Sequence, residues 1–484
     1  MKRSKHNLSA YRLATCNMGE LIPINCVPVL PGDTIQHVSS AMIRLSPLNT
    51  PVMHPTAVRI HHWFVPNRIV WDEWEDFITG GPDGTSTPTI PQVDLPTTKG
   101  SVMDHLYGAI SDTSVTEVSE LPLRAFNKIF NQRYRDQDIV TARLEDDTTI
   151  PKIAWEKDYF GVARPWTQKG ADVSVPLGDR ADIKGLGVLG ANTGAVNNVR
   201  ETNATSTVNY AGAWFGNNVI VEEDPGLDYP DIYADLSAAT GSNINDLRTA
   251  FSLQRYQEAR ARYGSRFTEY LRYLGIRPSD ARLQEPEYLG GGTARVNFSE
   301  VLKTADDGGG GAQVGDMFGH GIAGARTNRF RKFFEEHGYV ISVMSIRPKA
   351  IYLNGVPREY LKSTKEDFFQ KELANLGQQE IYEAELFANG AASKTDVFGY
   401  GDRYDEYRRH PSQVCGDFRD TLNAWHMGRD LAANPTINTS FVECDPTDRI
   451  FQVGEATANT LWCFINHKTV ARRIVPKRAN PRIL

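Results

Sequence analysis

Long apolar runs are missing from this 484-residue sequence. No stretch approaches the ~18 consecutive apolar residues that read as a membrane-spanning helix. The basic start, Met1-Lys2-Arg3-Ser4-Lys5, leads into HNLSAYRLATCNMGEL, which supplies no apolar segment of a secretory signal, and none is expected. Cysteine is scarce as well. Cys16, Cys26, Cys415, Cys444 and Cys463 are odd in number, widely scattered and without a C-x-x-C pair. That pattern argues for free thiols in a reducing compartment and against a disulfide framework or a zinc site. Catalytic signatures are absent too: there is no Walker A sequence, no H-E-x-x-H and no G-x-S-x-G. The acidic stretch WDEWED (71–76) lacks the alternation of acids with turn residues that a calcium loop needs, and reads as an exposed acidic turn.

One motif is present to the letter. GHGIAG, Gly319–Gly324, fits the dinucleotide fingerprint G-x-G-x-x-G. That fingerprint works only between a buried strand and a helix whose N-terminus meets the pyrophosphate. Here TADDGGGGAQVGDMF precedes it, and a short basic, aromatic segment follows. No cofactor is expected, and the glycines read as parts of a tight connection.

Charge is unevenly placed. The chain carries a net −6. Residues 1–19 hold Lys2, Arg3, Lys5 and Arg12 without an acid, and residues 456–484 hold Lys468, Arg472, Arg473, Lys477, Arg478 and Arg482, again without one. Ends of +4 and +6 leave −16 on the body. Basic ends on an acidic body point to a polyanion partner, with solvated, solubilising ends as the plain alternative.

The length would allow about three domains, although all-β chains often run long as one unit. Strand signals lie at 33–46, 56–66, 338–348, 440–453 and 461–475, bounded by Pro and Gly. His61 and His62 are neighbours on a strand, so they point to opposite faces and cannot share a metal. A helix is expected over 119–138, capped by Ser119, and a second over 244–275, broken at Gly264. In the second, Tyr256, Tyr263, Phe267 and Leu274 form an apolar stripe that reads as core packing. Residues 182–243 show little periodicity, and no 20–50-residue repeat is visible. Strands at both ends with helices and loops between fit one β-sandwich with large insertions better than serial domains.

Several stretches together resemble one family, the major capsid proteins of the Microviridae, of the gokushovirus type. They are NLSAYRLATCNMGELIPI, LPGDTIQHVSSAMIRLSPL, PVMHPTAVRIHHWFVPNRIVWDEWEDFITGG, LPLRAFNKIFNQRYRDQD, GHGIAGARTNRFRKFFEEHGYVISVMSIRP, FGYGDRYDEYRRHPSQVCGDFR, WHMGR and FVECDPTDRIF. Residues 182–243 and 353–395 depart from the pattern. The resemblance implies an eight-stranded antiparallel jelly-roll barrel with large insertions, a single domain over 1–484, and no enzymatic activity. It implies pentamers in a sixty-copy (T=1) shell around circular single-stranded DNA, assembled in the host bacterial cytoplasm. The partners it implies are further copies of the chain, a small basic DNA-binding viral protein, pilot and scaffolding proteins, and a host receptor.

On this reading 1–19 is a basic arm, 244–275 a helical insertion and 456–484 the last strand with a basic tail. Lys2, Arg3, Lys5, Arg12, Arg472, Arg473, Lys477 and Arg478 become the candidate DNA contacts. Residues 182–243 carry eight acids against Lys184 and Arg200, which makes them a poor DNA-facing surface. They read as a surface insertion, a threefold protrusion by the same resemblance, with Trp214, Phe215, Val219 and Ile220 as candidate host contacts. The rival reading is a phage receptor-binding β-sandwich that forms no shell.

Overall fold

The computed structural model describes residues 3–111, 117–171, 173, 182–184, 186–188, 219–221, 233–235, 244–264, 266–304, 314–388, 395–431, 435–453 and 458–478. The chain divides into two compact units, residues 1–167 with 261–484, and 168–260. In the second unit the strand Asp182–Lys184 pairs with Tyr233–Asp235, and Leu186–Val188 pairs with Val219–Val221.

The two main sheets of the first unit are built on eleven strands: β1 (Ser4–Asn7), β2 (Ala10–Cys16), β3 (Leu21–Val29), β4 (Thr34–Leu45), β5 (Thr56–Pro66), β6 (Glu287–Arg295), β7 (Asn297–Leu302), β8 (Met317–Arg326), β9 (Phe330–Phe333), β10 (Gly338–Pro348) and β11 (Leu461–Arg473). They form a seven-stranded and a four-stranded antiparallel sheet. In the first, β1 and β2 pair with one edge of β11, then come β4, β8 with β9, and β7. In the second the order is β6, β5, β10, β3. The two principal runs, β2-β11-β4-β8 and β3-β10-β5-β6, have one connection within a sheet, β5 to β6; the other steps all cross over. That is the connectivity of a double Greek-key jelly roll. No ladder joins the sheets among the described residues, so the expected barrel takes the form of an open two-sheet sandwich.

The sandwich closes because the strands alternate. Ile22, Ile24, Ile43, Leu45, Val58, Ile60, Met344, Ile346, Leu461, Cys463 and Ile465, drawn from both sheets, meet in one core. Each such side chain contributes roughly 1.5–3 kcal/mol on burial. Beside this core lies a polar layer. His467 Nε2 donates to Ile24 O (3.0 Å), which leaves Nδ1 to accept from Ser39 Oγ (2.8 Å). Ser39 Oγ in turn accepts from His37 Nε2 (2.9 Å), and His37 Nδ1 accepts from Thr469 Oγ1 (2.7 Å). His62, whose ring lies edge-on to His37, pairs with Ser342 Oγ at 2.7 Å. His61 points the other way and pairs with Tyr134 Oη at 2.7 Å, as adjacent strand residues must.

The far side of the four-stranded sheet is covered. Helices α1 (Val102–Tyr107) and α2 (Leu121–Arg133) set Met103, Leu106, Leu123, Phe126, Ile129 and Phe130 against Trp63, Val65, Ile341 and Val343. Ser101 caps α1, its Oγ accepting from Asp104 N at 3.1 Å. For α2 the expected cap at Ser119 is displaced by one residue to Glu120, which anchors the first turn through its ion pair with Arg124 (2.8 Å).

Four expectations change. Residues 440–453 are not a strand: Asn438 Oδ1 accepts from Phe441 N (2.9 Å) and starts a one-turn helix, Thr439–Val442. WDEWED keeps its acids exposed but runs into the helix Trp74–Thr79, with Trp71 buried. The stripe Tyr256, Tyr263, Phe267 and Leu274 is 44–62% exposed and is not core packing among the described residues. The break at Gly264 is real, with φ +96° between the helices Ile244–Tyr263 and Phe267–Tyr273. Lastly, GHGIAG is the middle of β8 and not a connection. Two of its three glycines serve close approach: a Cβ on Gly319 would lie 2.3 Å from Thr50 O, and one on Gly321 would lie 2.8 Å from Leu45 Cδ2. None of the five cysteines is in a disulfide.

Candidate nucleic-acid interface

Among the described residues, no helical layer like that on the four-stranded sheet is packed across the second face of the seven-stranded sheet. On β11, Leu461, Cys463, Ile465, His467, Thr469 and Ala471 are buried, while Trp462, Phe464, Asn466, Lys468 and Arg472 are exposed. Register extends that exposed row across the sheet. Lys5 and Thr34 flank Arg472, and Phe333 follows Thr34. Arg331 stands beside Gln36, and Arg326 beside Ser40 and Asn466. Leu13, Phe464, Met42 and Gly324 form one row, and Thr15, Trp462, Arg44 and Ile322 the next.

Six cations therefore stand on this face: Lys5, Arg44, Arg326, Arg331, Lys468 and Arg472. No described strand residue that the register puts there is an aspartate or glutamate. In a chain of net charge −6 this separation is pronounced. Like charges without counter-charges raise the local potential and attract a polyanion, a term that salt weakens. Exposed apolar side chains accompany them at one end: Tyr11 (73%), Leu13 (74%), Met42 (44%), Phe464 (41%) and Trp462 (48%).

The candidate DNA contacts fall into three groups. Lys5 and Arg472 lie side by side on the open face. Arg3 sits at its corner, donating to Gly32 O (2.9 Å) and Thr34 Oγ1 (3.1 Å) with its guanidinium over the Phe333 ring. Lys477 and Arg478 are exposed beyond the end of β11. Arg12 and Arg473 face the other way. Arg12 donates to His105 O, and burial pulls its affinity for the proton down. Arg473 pairs with the fully buried Asp33 at 2.8 Å and donates to Pro28 O at 3.1 Å. These two side chains are occupied in holding the sheet edge together. Lys2 lies outside the described residues, as do Trp214 and Phe215; Val219 and Ile220 belong to the short strand of the second unit.

Arg44, Arg326, Arg331 and Lys468 complete the cationic face, and the reading by chain ends did not select them. For Lys468 the signal was the period of two in LWCFINHKTVAR, which places every second residue on one side; Arg44, Arg326 and Arg331 join it only through sheet order.

The face thus has the chemistry for a polyanion and lacks the enclosed constellation of a catalytic centre. Comparison with known proteins agrees with that division. Residues 1–481 match the family described as Capsid protein (F protein). The chain is 34% identical over 481 residues to Capsid protein VP1 of Bdellovibrio phage phiMH2K, covering 92% of this chain and 89% of that one. It is 29% identical to Capsid protein VP1 of Chlamydia phage 1 (97% and 94% covered), and 27% identical to that of Spiroplasma virus 4 (99% and 95% covered). A match along essentially the whole length, on a two-sheet sandwich with one bare cationic face, places this chain in the F-protein capsid family of the Microviridae, as a shell-forming structural component of the virion and not an enzyme.

Proposed function

We propose that this chain assembles as pentamers into a T=1 shell around a circular single-stranded DNA genome, with the open face of the seven-stranded sheet turned toward the nucleic acid. The carrying observation is that face: six cations without a carboxylate, on a protein that is acidic overall. The acidic body is left for subunit contacts and the exterior. Assembly buries further surface on every copy, so the stability of the shell exceeds that of the isolated chain.

The partners come from the family resemblance: a small basic viral protein does much of the neutralisation of the genome, which fits a capsid chain whose own net charge is −6. Pilot and scaffolding proteins assist, assembly takes place in the host bacterial cytoplasm, and residues 182–243 meet the host receptor. Shortening that segment to a Gly/Ser turn leaves particles that form but fail to adsorb; failure to form particles makes it a subunit-linking loop instead.

The test of the genome-facing role replaces Lys5, Arg326, Lys468 and Arg472 by Gln together and measures the DNA content of purified particles. Particles still form, retain less DNA, and lose it more steeply as salt rises. Equal loss of empty and full particles would assign these side chains to subunit contacts.

A further inference from the structure

The open face is not uniform, and its two ends have different chemistry. Lys5, Arg331, Lys468 and Arg472 occupy one end. The other carries Tyr11, Leu13, Met42, Trp462 and Phe464, with Arg44 as the cation set among them. Register explains the clustering. Leu13, Phe464 and Met42 are directly opposite one another on three neighbouring strands, and Trp462 stands between Thr15 and Arg44 one row on. Tyr11 closes the cluster, its ring centroid 6.0 Å from that of Phe464. Gly324 ends the middle row with no side chain, and a Cβ there would meet nothing within 4 Å. The cluster opens into a groove of about 920 Å³ whose wall also includes Arg12 and Lys99. The two carboxylates in that wall, Glu20 and Asp104, accept from the backbone amides of Asn17 (2.7 Å) and Gly100 (2.8 Å).

We infer that this aromatic end is a base-stacking platform, and that it makes the face selective for single-stranded over double-stranded DNA. The inference rests on the genome-facing reading above. The cationic end recognises phosphates, which both forms of DNA present. Flat, exposed rings recognise the faces of bases, which are free only in a single strand, because in a duplex they are stacked on one another. Trp462 and Phe464 point out of the sheet about 7 Å apart along one strand, the spacing of alternate residues. Two rings at that separation accept two unstacked bases while Arg44 and Lys468 hold the phosphates beside them. A protein partner is the other occupant of an apolar patch, but the charged strand residues on this face are all cations, and the two carboxylates of the groove wall are already engaged by backbone amides, so the patch complements a polyanion.

The experiment uses the full chain as unassembled subunits, in which the face is open to the probes, with a thymidine oligonucleotide and a duplex of equal length. In Trp462→Leu/Phe464→Leu the apolar bulk stays and the aromatic faces go. Affinity for the single strand falls about tenfold or more, duplex affinity is unchanged, and the salt slope is unchanged. Trp462→Phe/Phe464→Tyr restores most of the loss. Lys468→Gln/Arg472→Gln weakens both probes and lowers the salt slope by roughly 0.7 for each charge removed on the single strand. If the leucine variant binds the single strand as tightly as the parent, or loses both probes equally, the stacking platform is wrong. If the glutamine variant keeps full affinity for both probes with the same slope, the genome-facing reading fails instead.

Discussion

The four-stranded sheet buries both of its faces, whereas the seven-stranded sheet buries one. Both use the same alternation and share one core. They differ in what the chain does next: after β5 it runs through α1 and α2, which lie down on the outside of the four-stranded sheet, and among the described residues nothing comparable covers β11, β4 and β8. A sheet covered on both faces reads as nearly continuous apolar sequence, as in GYVISVMSIRP, where nine of eleven residues are buried. A sheet left bare keeps its alternation, as in LWCFINHKTVARR. The first pattern belongs to stability, and the second leaves a surface free for a partner.

Mutations at matched residues separate the two roles, and the largest effect belongs to the covered side. Phe126→Ala removes a fully buried ring of α2 and destabilises the chain by about 3–5 kcal/mol, read as a lowered denaturation midpoint. Phe464→Ala on the open face costs at most about 1 kcal/mol. A comparable loss at both would mean that the open face is covered.

Neighbouring arginines sharpen the same contrast. Arg473→Gln leaves the carboxylate of Asp33, 0% exposed, without its cation and destabilises by about 3 kcal/mol. Arg472→Gln, one residue away on the other face, stays within about 0.5 kcal/mol and shows itself only in DNA retention. Equal and large destabilisation by both would contradict the placement of Arg472.

The polar layer between the sheets adds a pH dependence to stability. Burial pushes His37 down to about 3 with His467 beside it, His62 down to about 2 with His37 and His467 beside it, and His467 down to about 4. All three are neutral when folded and take up protons when unfolded once the pH drops below about 6.5. The unfolded state then binds more protons, so stability is full above pH ~6.5 and falls as the pH drops toward ~4. The urea midpoint follows that course, and His62→Leu flattens it. A midpoint independent of pH through this window would show that the histidines are not buried in the unprotonated form.

The smallest contrast is between glycines of one strand. Gly319→Ala drives a methyl into Thr50 O and costs about 1–3 kcal/mol; Gly324→Ala enters open space and leaves the midpoint unchanged or slightly raised.

Much of this fold was legible from period and punctuation. Four of the five expected strand regions became β4, β5, β10 and β11. The fifth failed because a local side-chain cap, Asn438, outweighed the β-propensity of Phe441 and Val442. GHGIAG was recognised as a false fingerprint, but its role as the centre of a strand was not. Glycine suppresses the β signal, and its reason here is the backbone of Thr50, nearly 270 residues away in sequence. The site was half legible. Basic ends pointed to Lys5 and Arg472, whereas Arg44, Arg326 and Arg331 come from strands outside those ends, and only sheet order brings them together. Arg12 and Arg473 show the converse: charge composition cannot say on which face of a strand a cation lies.

Electron cryo-microscopy of genome-filled particles tests the central claim most directly. The account predicts closed T=1 shells in which the face bearing Trp462, Phe464, Lys468 and Arg472 lines the interior and carries nucleic-acid density. Shells in which that face points outward or packs against a neighbouring subunit, with the genome against α1 and α2, would contradict it.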